Sequence, residues 1–168
     1  MRKKLTSLFV LSILTISYVQ AQSTEETERG SGVTAVIQSD QLEFQIPIWT
    51  NNQTIIAPVI GAVYAQDIGT DLTVGLVLKK FQKETVGAVP FFSIKGGAVI
   101  GMPKEGDTIT DFVVGLGYGG EYFFNPNFSI GIELQGNASI SDEGSFRFGN
   151  PGNVNFNTAT LISASIYF

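Results

Sequence analysis

The stretch that most restricts what this chain can become runs from Asp111 to Asn137, DFVVGLGYGGEYFFNPNFSIGIELQGN. It consists of two alternating segments about one turn signal at Asn125, Pro126 and Asn127. Before the turn, Phe112, Val114, Leu116, Tyr118 and Tyr122 are apolar, and Gly115, Gly117, Gly119 and Glu121 fall between them. After it, Phe128, Ile130, Ile132 and Leu134 alternate with Ser129, Gly131, Glu133, Gln135 and Asn137. Successive side chains on a strand point to opposite faces. Each segment therefore predicts a strand with one apolar face and one face of glycines and polar groups.

A three-residue turn sets Phe124 opposite Phe128, Tyr122 opposite Ile130 and Tyr118 opposite Leu134 on the apolar face. On the other face it sets Gly119 against Glu133, Gly117 against Gln135 and Gly115 against Asn137, so that each long polar chain faces a glycine. A half-buried soluble sheet also alternates, but it gains nothing by placing its glycines beside its longest polar residues. A closed barrel in lipid does gain. Its narrow interior must hold hydrogen-bonding side chains without overpacking, while its outside meets hydrocarbon.

The amino end fits export. Arg2, Lys3 and Lys4 precede an apolar stretch of about fifteen residues, Leu5 to Val19, and the small-residue pattern Val19-Gln20-Ala21 follows. We read residues 1–21 as a signal peptide, since the run is short of the ~20 apolar residues that span a bilayer. Its removal leaves 147 residues, one domain by length, and shifts the formal charge from -5 to -8. An acidic chain argues against nucleic acid as a partner. With no cysteine the fold relies on no disulfide and offers no lipid attachment site. Residues 22–32, QSTEETERGSG, have no hydrophobic period and predict a flexible polar segment.

Eight strands follow over 33–168. The first, about Val33 to Gln38, turns near Ser39 and Asp40 into a second in which Leu42, Phe44, Ile46 and Ile48 alternate with polar residues and Trp49. Pro47 there removes a backbone donor and implies a bulge or a place near the rim. The third, Thr54 to Tyr64, is apolar on both parities, and the sequence leaves its outward face open. The fourth sets Leu72, Val74, Leu76 and Leu78 outward against Asp71, Thr73, Gly75, Val77 and Lys79. A three-residue turn at Gln82, Lys83 and Glu84 leads to the fifth, Val86 to about Gly101, and its register sets Asp71 against Lys95 as an internal ion pair. Asp71, Lys95, Glu121, Glu133 and Gln135 are the expected polar network of the lumen. The longest connection, roughly Ser139 to Asn157, carries Phe146, Arg147 and Phe148, the expected loop contacts. The eighth strand ends the chain.

Connections at Asn51, Lys83 and Pro126 are short and share one end with both termini, as the inner turns of such barrels do. Beside them Trp49, Phe81, Phe124, Phe128 and Phe168 predict an aromatic belt at a membrane interface. With the signal sequence, the YGGEYFFNPNFSIGIE hairpin and the alternating ending SASIYF in place, the chain resembles the small OmpA/OmpX-like outer-membrane proteins of Gram-negative bacteria. The resemblance implies an all-β, eight-stranded antiparallel up-and-down transmembrane barrel in the outer membrane. Its partners are then outer-membrane lipid and lipopolysaccharide, and the assembly machinery that reads the carboxy-terminal strand. A monomer is expected, and the chain departs from the family's larger members in lacking a periplasmic peptidoglycan-binding domain, so no cell-wall tether is implied.

Catalysis finds no support in the residue types. Acyl-transfer chemistry on such barrels leans on a histidine base, and the chain has none. Gly115, Gly117 and Gly120 satisfy a dinucleotide fingerprint in spacing, but they lie inside a strand with no helix to follow, so no cofactor is expected. Asp142 with Glu143, and Glu105 with Asp107, match no calcium loop; we read them as solvated loop charges and expect no metal. The sequence supports a non-catalytic barrel with a structural or surface-interaction role through its outer loops. Two alternatives are a narrow pore and a soluble, lipocalin-like carrier of an apolar ligand, with its greasy face turned inward.

Overall fold

A computed structural model describes residues 30–38, 41–82 and 87–168. The expected signal peptide, most of the polar segment after it, and the turn residues Ser39, Asp40, Lys83 and Glu84 lie outside the described residues. The described chain forms β1 (Gly32–Gln38), β2 (Gln41–Gln45), β3 (Ile48–Asn51), β4 (Thr54–Ala65), β5 (Gly69–Phe81), β6 (Gly87–Pro103), β7 (Ile109–Asn125), β8 (Phe128–Ile140) and β9 (Val154–Tyr167). β2 and β3 are two halves of one wall strand, interrupted at Ile46 and Pro47, and both pair with β4. Pro47 cannot donate, but its carbonyl accepts from Gly32 N at 2.9 Å, so the seam to β1 continues through the bend. All pairings are antiparallel between sequence neighbours, and β1 also pairs with β9, closing an eight-stranded barrel.

The stagger of the barrel can be read from its register. Following partners from Ala35 through Phe44, Ile60, Val74, Ala98, Phe112 and Ile140 leads to Val154. Ala35's direct partner on β9 is Ala164, ten residues away. A stagger of ten over eight strands, at ~3.3 Å rise and ~4.8 Å spacing, tilts the strands by about 40° and makes each residue climb about 2.5 Å along the axis.

The β7–β8 hairpin follows the expected register above its turn, with Tyr122 opposite Ile130, Gly119 opposite Glu133 and Gly117 opposite Gln135. At the turn itself Asn125 pairs with Phe128 and Phe124 is squeezed out of register. The Asn125 Oδ1 accepts the Asn127 N–H at 2.8 Å, tightening the turn, as Asn51 does for Gln53 at the β3–β4 turn. The β5–β6 register differs from expectation. Val77, not Asp71, lies opposite Lys95, because β5 ends at Phe81 and β6 begins only at Gly87. The connection is longer than three residues, and every pair slides accordingly. The parity left open in β4 is resolved: Ile55, Ala57, Val59 and Gly61 point inward, and Ile60, Ala62 and Tyr64 outward.

The outside is apolar. Val74, Leu76, Leu78, Phe92, Ile94, Val114, Leu116, Ile130, Ile132, Leu134, Ile162 and Ile166 are all exposed. Phe124, Phe128, Tyr122 and Phe168 lie outside near the short turns, and Phe124 stacks on Phe128 with centroids 5.4 Å apart. Trp49 and Phe81 were expected in that belt, yet they point inward, at 8% and 0% exposure. The reason is parity: Trp49 continues the inward positions Glu43 and Gln45 across the bend, and Phe81 those of Val77 and Lys79. A second ring of exposed aromatics, Tyr64, Phe112 and Phe156, stands near the long-loop end. On β7, Phe112 and Tyr122 are ten residues apart, about 25 Å along the axis at this tilt.

Glycine placement gives a paired test. A Cβ at inward-facing Gly117 would collide with Glu133 Oε1 and Ser93 Oγ, whereas at outward-facing Gly136 it would meet nothing within 4 Å. Gly117→Ala is expected to lower stability by about 1–3 kcal/mol, and Gly136→Ala to leave it unchanged or raise it by up to about 1 kcal/mol. Urea midpoints of the two variants in detergent micelles check this.

Candidate functional site

Inward positions build three tiers along the barrel axis. Nearest the short turns is an aromatic floor. Trp49 stacks on Phe81 at 5.4 Å and leans on Tyr167 at 5.7 Å, and Phe81 meets Phe91 and Phe123 edge-on at 5.6 and 5.7 Å. Ile55, Ala57, Val59, Val77 and Val89 complete it. This floor shuts that end of the lumen with carbon.

Directly above it sits Glu121, fully buried. Lys79 Nζ donates to Glu121 Oε2 at 2.8 Å, and the hydroxyls of Ser129 and Tyr167 donate to Oε1, Tyr167 at 3.0 Å. Lys79 also lies 4.3 Å over the ring of Phe91, a cation–π contact that ties the ion pair to the floor. Higher up, Lys95 Nζ donates to both carboxylate oxygens of Glu43 at 2.7 and 2.8 Å. Beside them Ser93 Oγ and Gln135 Nε2 donate to Glu133 Oε1. A cavity among Lys79, Lys95, Glu133 and Gln135 measures about 10 Å³, roughly the room one water needs.

The third tier closes the opposite mouth. Arg147, from the loop between β8 and β9, reaches back across it. Its guanidinium meets Asp71 at 2.7 Å and Asp111 at 3.1 Å. Asp111 is fully buried and also accepts from Ser145 Oγ at 2.7 Å and from the Asp142 N–H at 2.9 Å. Hydrogen bonding to Asp71, opposed by burial and helped by the charges of Asp71 and Asp111, holds the Arg147 pKa above its ordinary value. The clasp therefore keeps its cation throughout the working pH range.

The five residues expected to form a lumen network do all point inward, but they do not form one network. Glu121 binds Lys79, Lys95 binds Glu43, Glu133 joins Gln135 and Ser93, and Asp71 is held by Arg147. The expected Asp71–Lys95 pair is absent because the register slides. Glu43, Lys79 and Asp111 were not singled out, although each stands on the polar parity of its strand, and that signal alone would have found them. Of the expected loop contacts, Phe146 is 79% exposed, Phe148 is half-buried, and Arg147 is an internal clasp. The long loop itself is shorter than expected, because β8 runs on to Ile140 and β9 starts at Val154.

Removing one member of the buried Lys79–Glu121 pair strands the other charge. Glu121→Leu is expected to cost about 3–5 kcal/mol, and the double variant Lys79→Met/Glu121→Leu to recover most of that. A double-mutant cycle on unfolding free energy in micelles reads the coupling.

No protein-family model matches the chain, and no curated protein is similar to it. Solved structures do match. The N-terminal β-barrel domain of Pseudomonas aeruginosa OprF superposes with a TM-score of 0.60 at 13% identity, over 82% of this chain and 95% of that one. Neisserial surface protein A (NspA) superposes with a TM-score of 0.56 at 12% identity, over 82% and 93%. At such identities the likeness is one of fold.

Proposed function

We propose that the chain is an integral outer-membrane barrel without catalytic activity, closed to solute flow, whose outer loops meet partners at the cell surface. The observation that carries this reading is the division of its surfaces. An apolar band about 25 Å tall between two aromatic rings faces outward, the thickness that membrane-spanning barrels present to lipid. The charged and hydrogen-bonding groups face a filled lumen. The fold neighbours, both small outer-membrane barrels, support the location. A soluble carrier would turn its apolar face inward around a ligand, and here that face is outside.

Three tiers of side chains across the lumen argue for a plug. In planar bilayers the protein is expected to show no steady channels. Arg147→Ala together with Glu43→Ala and Lys95→Ala removes the mouth clasp and one ion pair of the middle tier but leaves the Lys79–Glu121 pair and the aromatic floor, so that variant is expected to stay closed as well. Steady conductance from the unaltered protein would support a pore instead.

Partners follow from the same arrangement. Lipid and lipopolysaccharide surround the band, and the exposed Phe168, just past β9 at the short-turn end, is the residue we assign to the assembly machinery, while Tyr167 is committed inside to Glu121. Phe168→Ala, which keeps the backbone bond to Ser31, is expected to lower the amount of heat-modifiable protein in the outer-membrane fraction several-fold, with the purified, refolded barrel unaffected. Recovery of the unaltered protein in soluble periplasm without detergent would overturn the assignment. The exposed Phe146 is the loop side chain best placed to touch a surface partner, and we read the barrel as a monomer, which a ladder closed within one chain supports.

A further inference from the structure

The barrel wall is not equally tall all round. β1 stops at Gln38, opposite Leu161, while β9 runs on to Val154. Only two residues separate Gln38 from Gln41, so the β1–β2 hairpin has none to set against Val154, Phe156 or Thr158. Across the hairpin, the last register pair between β2 and β4 is Glu43 with Gly61, and β4 continues through Ala62 and Tyr64. Correcting for strand tilt, Gln38 lies roughly 9 Å below the aromatic ring marked by Phe156. The gap thus sits inside the apolar band, in its outer half.

Its edges are polar backbone. Tyr167 N–H bonds Asn127 on the β8 side, and Phe168 N–H bonds Ser31 on the β1 side. Even-numbered residues of β9 therefore point their N–H and C=O toward β1, and for Val154, Phe156 and Thr158 that direction is the gap. Ile46 N–H bonds Pro58 O, so even-numbered β4 residues point that way; Ala62 lies level with Leu42 at the end of the β2 ladder, and Tyr64, beyond it, faces the gap from the other side. Side chains give the same picture. Asn157 and Val63 stand on inward parity yet are exposed, whereas Asn137, opposite Asn157 on β8, is buried.

Open sheet edges are not tolerated in hydrocarbon, where each unpaired group costs several kcal/mol. Resting on the membrane reading above, we infer that this notch is a lateral site for an amphiphile with a hydroxyl-rich, sugar-like head group. Hydroxyls donate and accept alike, so one head group can satisfy both edges. The edges are three strand spacings apart, about 14 Å. A single added peptide strand would cap β9 but turn a new open edge toward β4. Charge disfavours an anionic head. Arg147 is shared between Asp71 and Asp111, and Lys95 is held by Glu43, which leaves the nearby lining with no spare cation. Acyl chains would lie over Ile37, Leu42, Phe44 and Ile60, which are exposed on the outer face just below.

The test places the full barrel in phosphatidylcholine bicelles and follows amide hydrogen exchange at Val154, Phe156 and Thr158 by NMR. Adding monogalactosyl diacylglycerol is expected to slow these amides at least tenfold, and phosphatidylglycerol to leave them unchanged. A variant with two residues inserted after Gln38 and two before Gln41 lengthens the hairpin. It is expected to protect the same amides without glycolipid and to lose the response. Equal protection in phosphatidylcholine alone, equal slowing by phosphatidylglycerol, or slowing only by an added extended peptide would each overturn the proposal. Co-flotation with vesicles separates the two levels: a barrel that floats but shows no glycolipid effect refutes the site alone, and one that does not float refutes the membrane reading and the site with it.

Discussion

An eight-stranded barrel has an interior just wide enough for side chains to fill, and this limit shapes the rest of the molecule. An inward position can hold a long polar chain only where a neighbour gives up its own. On β7, Gly115 and Gly117 do so, and Asn137, Gln135, Glu133 and Ser93 occupy the space they leave, while Gly119 makes room for the Phe91 ring and the β8 backbone. The charges that fill the lumen must then find partners within it, because the space left beside them holds about one water and cannot serve them all. Lys79 with Glu121 and Lys95 with Glu43 meet that need at the cost of fixing both members of each pair. Such pairs add modest stability but penalise any arrangement that separates them.

From the same limit follows the division of labour along the axis. Near the short turns, where Trp49, Phe81, Phe91, Phe123 and Tyr167 converge, the lumen is mainly aromatic carbon, with the Tyr167 hydroxyl turned to Glu121. In the middle it is ionic. At the long-loop end it is closed by a loop residue, Arg147, rather than by a strand residue, so that this mouth depends on the fold of 141–153. Gly152 N–H and Ser145 N–H both bond Asp142 O, which gives that loop its own internal frame. Two other outer connections are tied by Lys104 and Asp67.

Much of this was legible in the chain, and the parts that were not share a cause. The β7–β8 hairpin could be paired residue by residue because its turn is short and its alternation strict. The β5–β6 register could not, because nothing between Phe81 and Gly87 fixes where the turn begins, and the Asp71–Lys95 pairing went with it. Trp49 and Phe81 were drawn to the belt by their nearness to turns, yet parity outranks nearness when a strand keeps its phase through a bend. β4 reads as apolar on both faces because its inward half is the carbon floor and its outward half the apolar band. The height of the β1–β2 hairpin was not visible either, since it emerges only when the stagger of all eight strands is summed around the barrel.

The central claim is that the even-numbered face of β5, β7, β8 and β9 meets hydrocarbon and the odd-numbered face does not. Because the chain has no cysteine, single nitroxide labels can be placed without background. Labels at Leu76, Leu116, Ile132 and Ile162 in a reconstituted bilayer should collide freely with oxygen, which concentrates in lipid, and hardly at all with a water-soluble nickel chelate; labels at Ser163 and Gln135 should be shielded from both. Even-numbered labels that meet the nickel chelate, or that are hidden from both quenchers, would contradict the account.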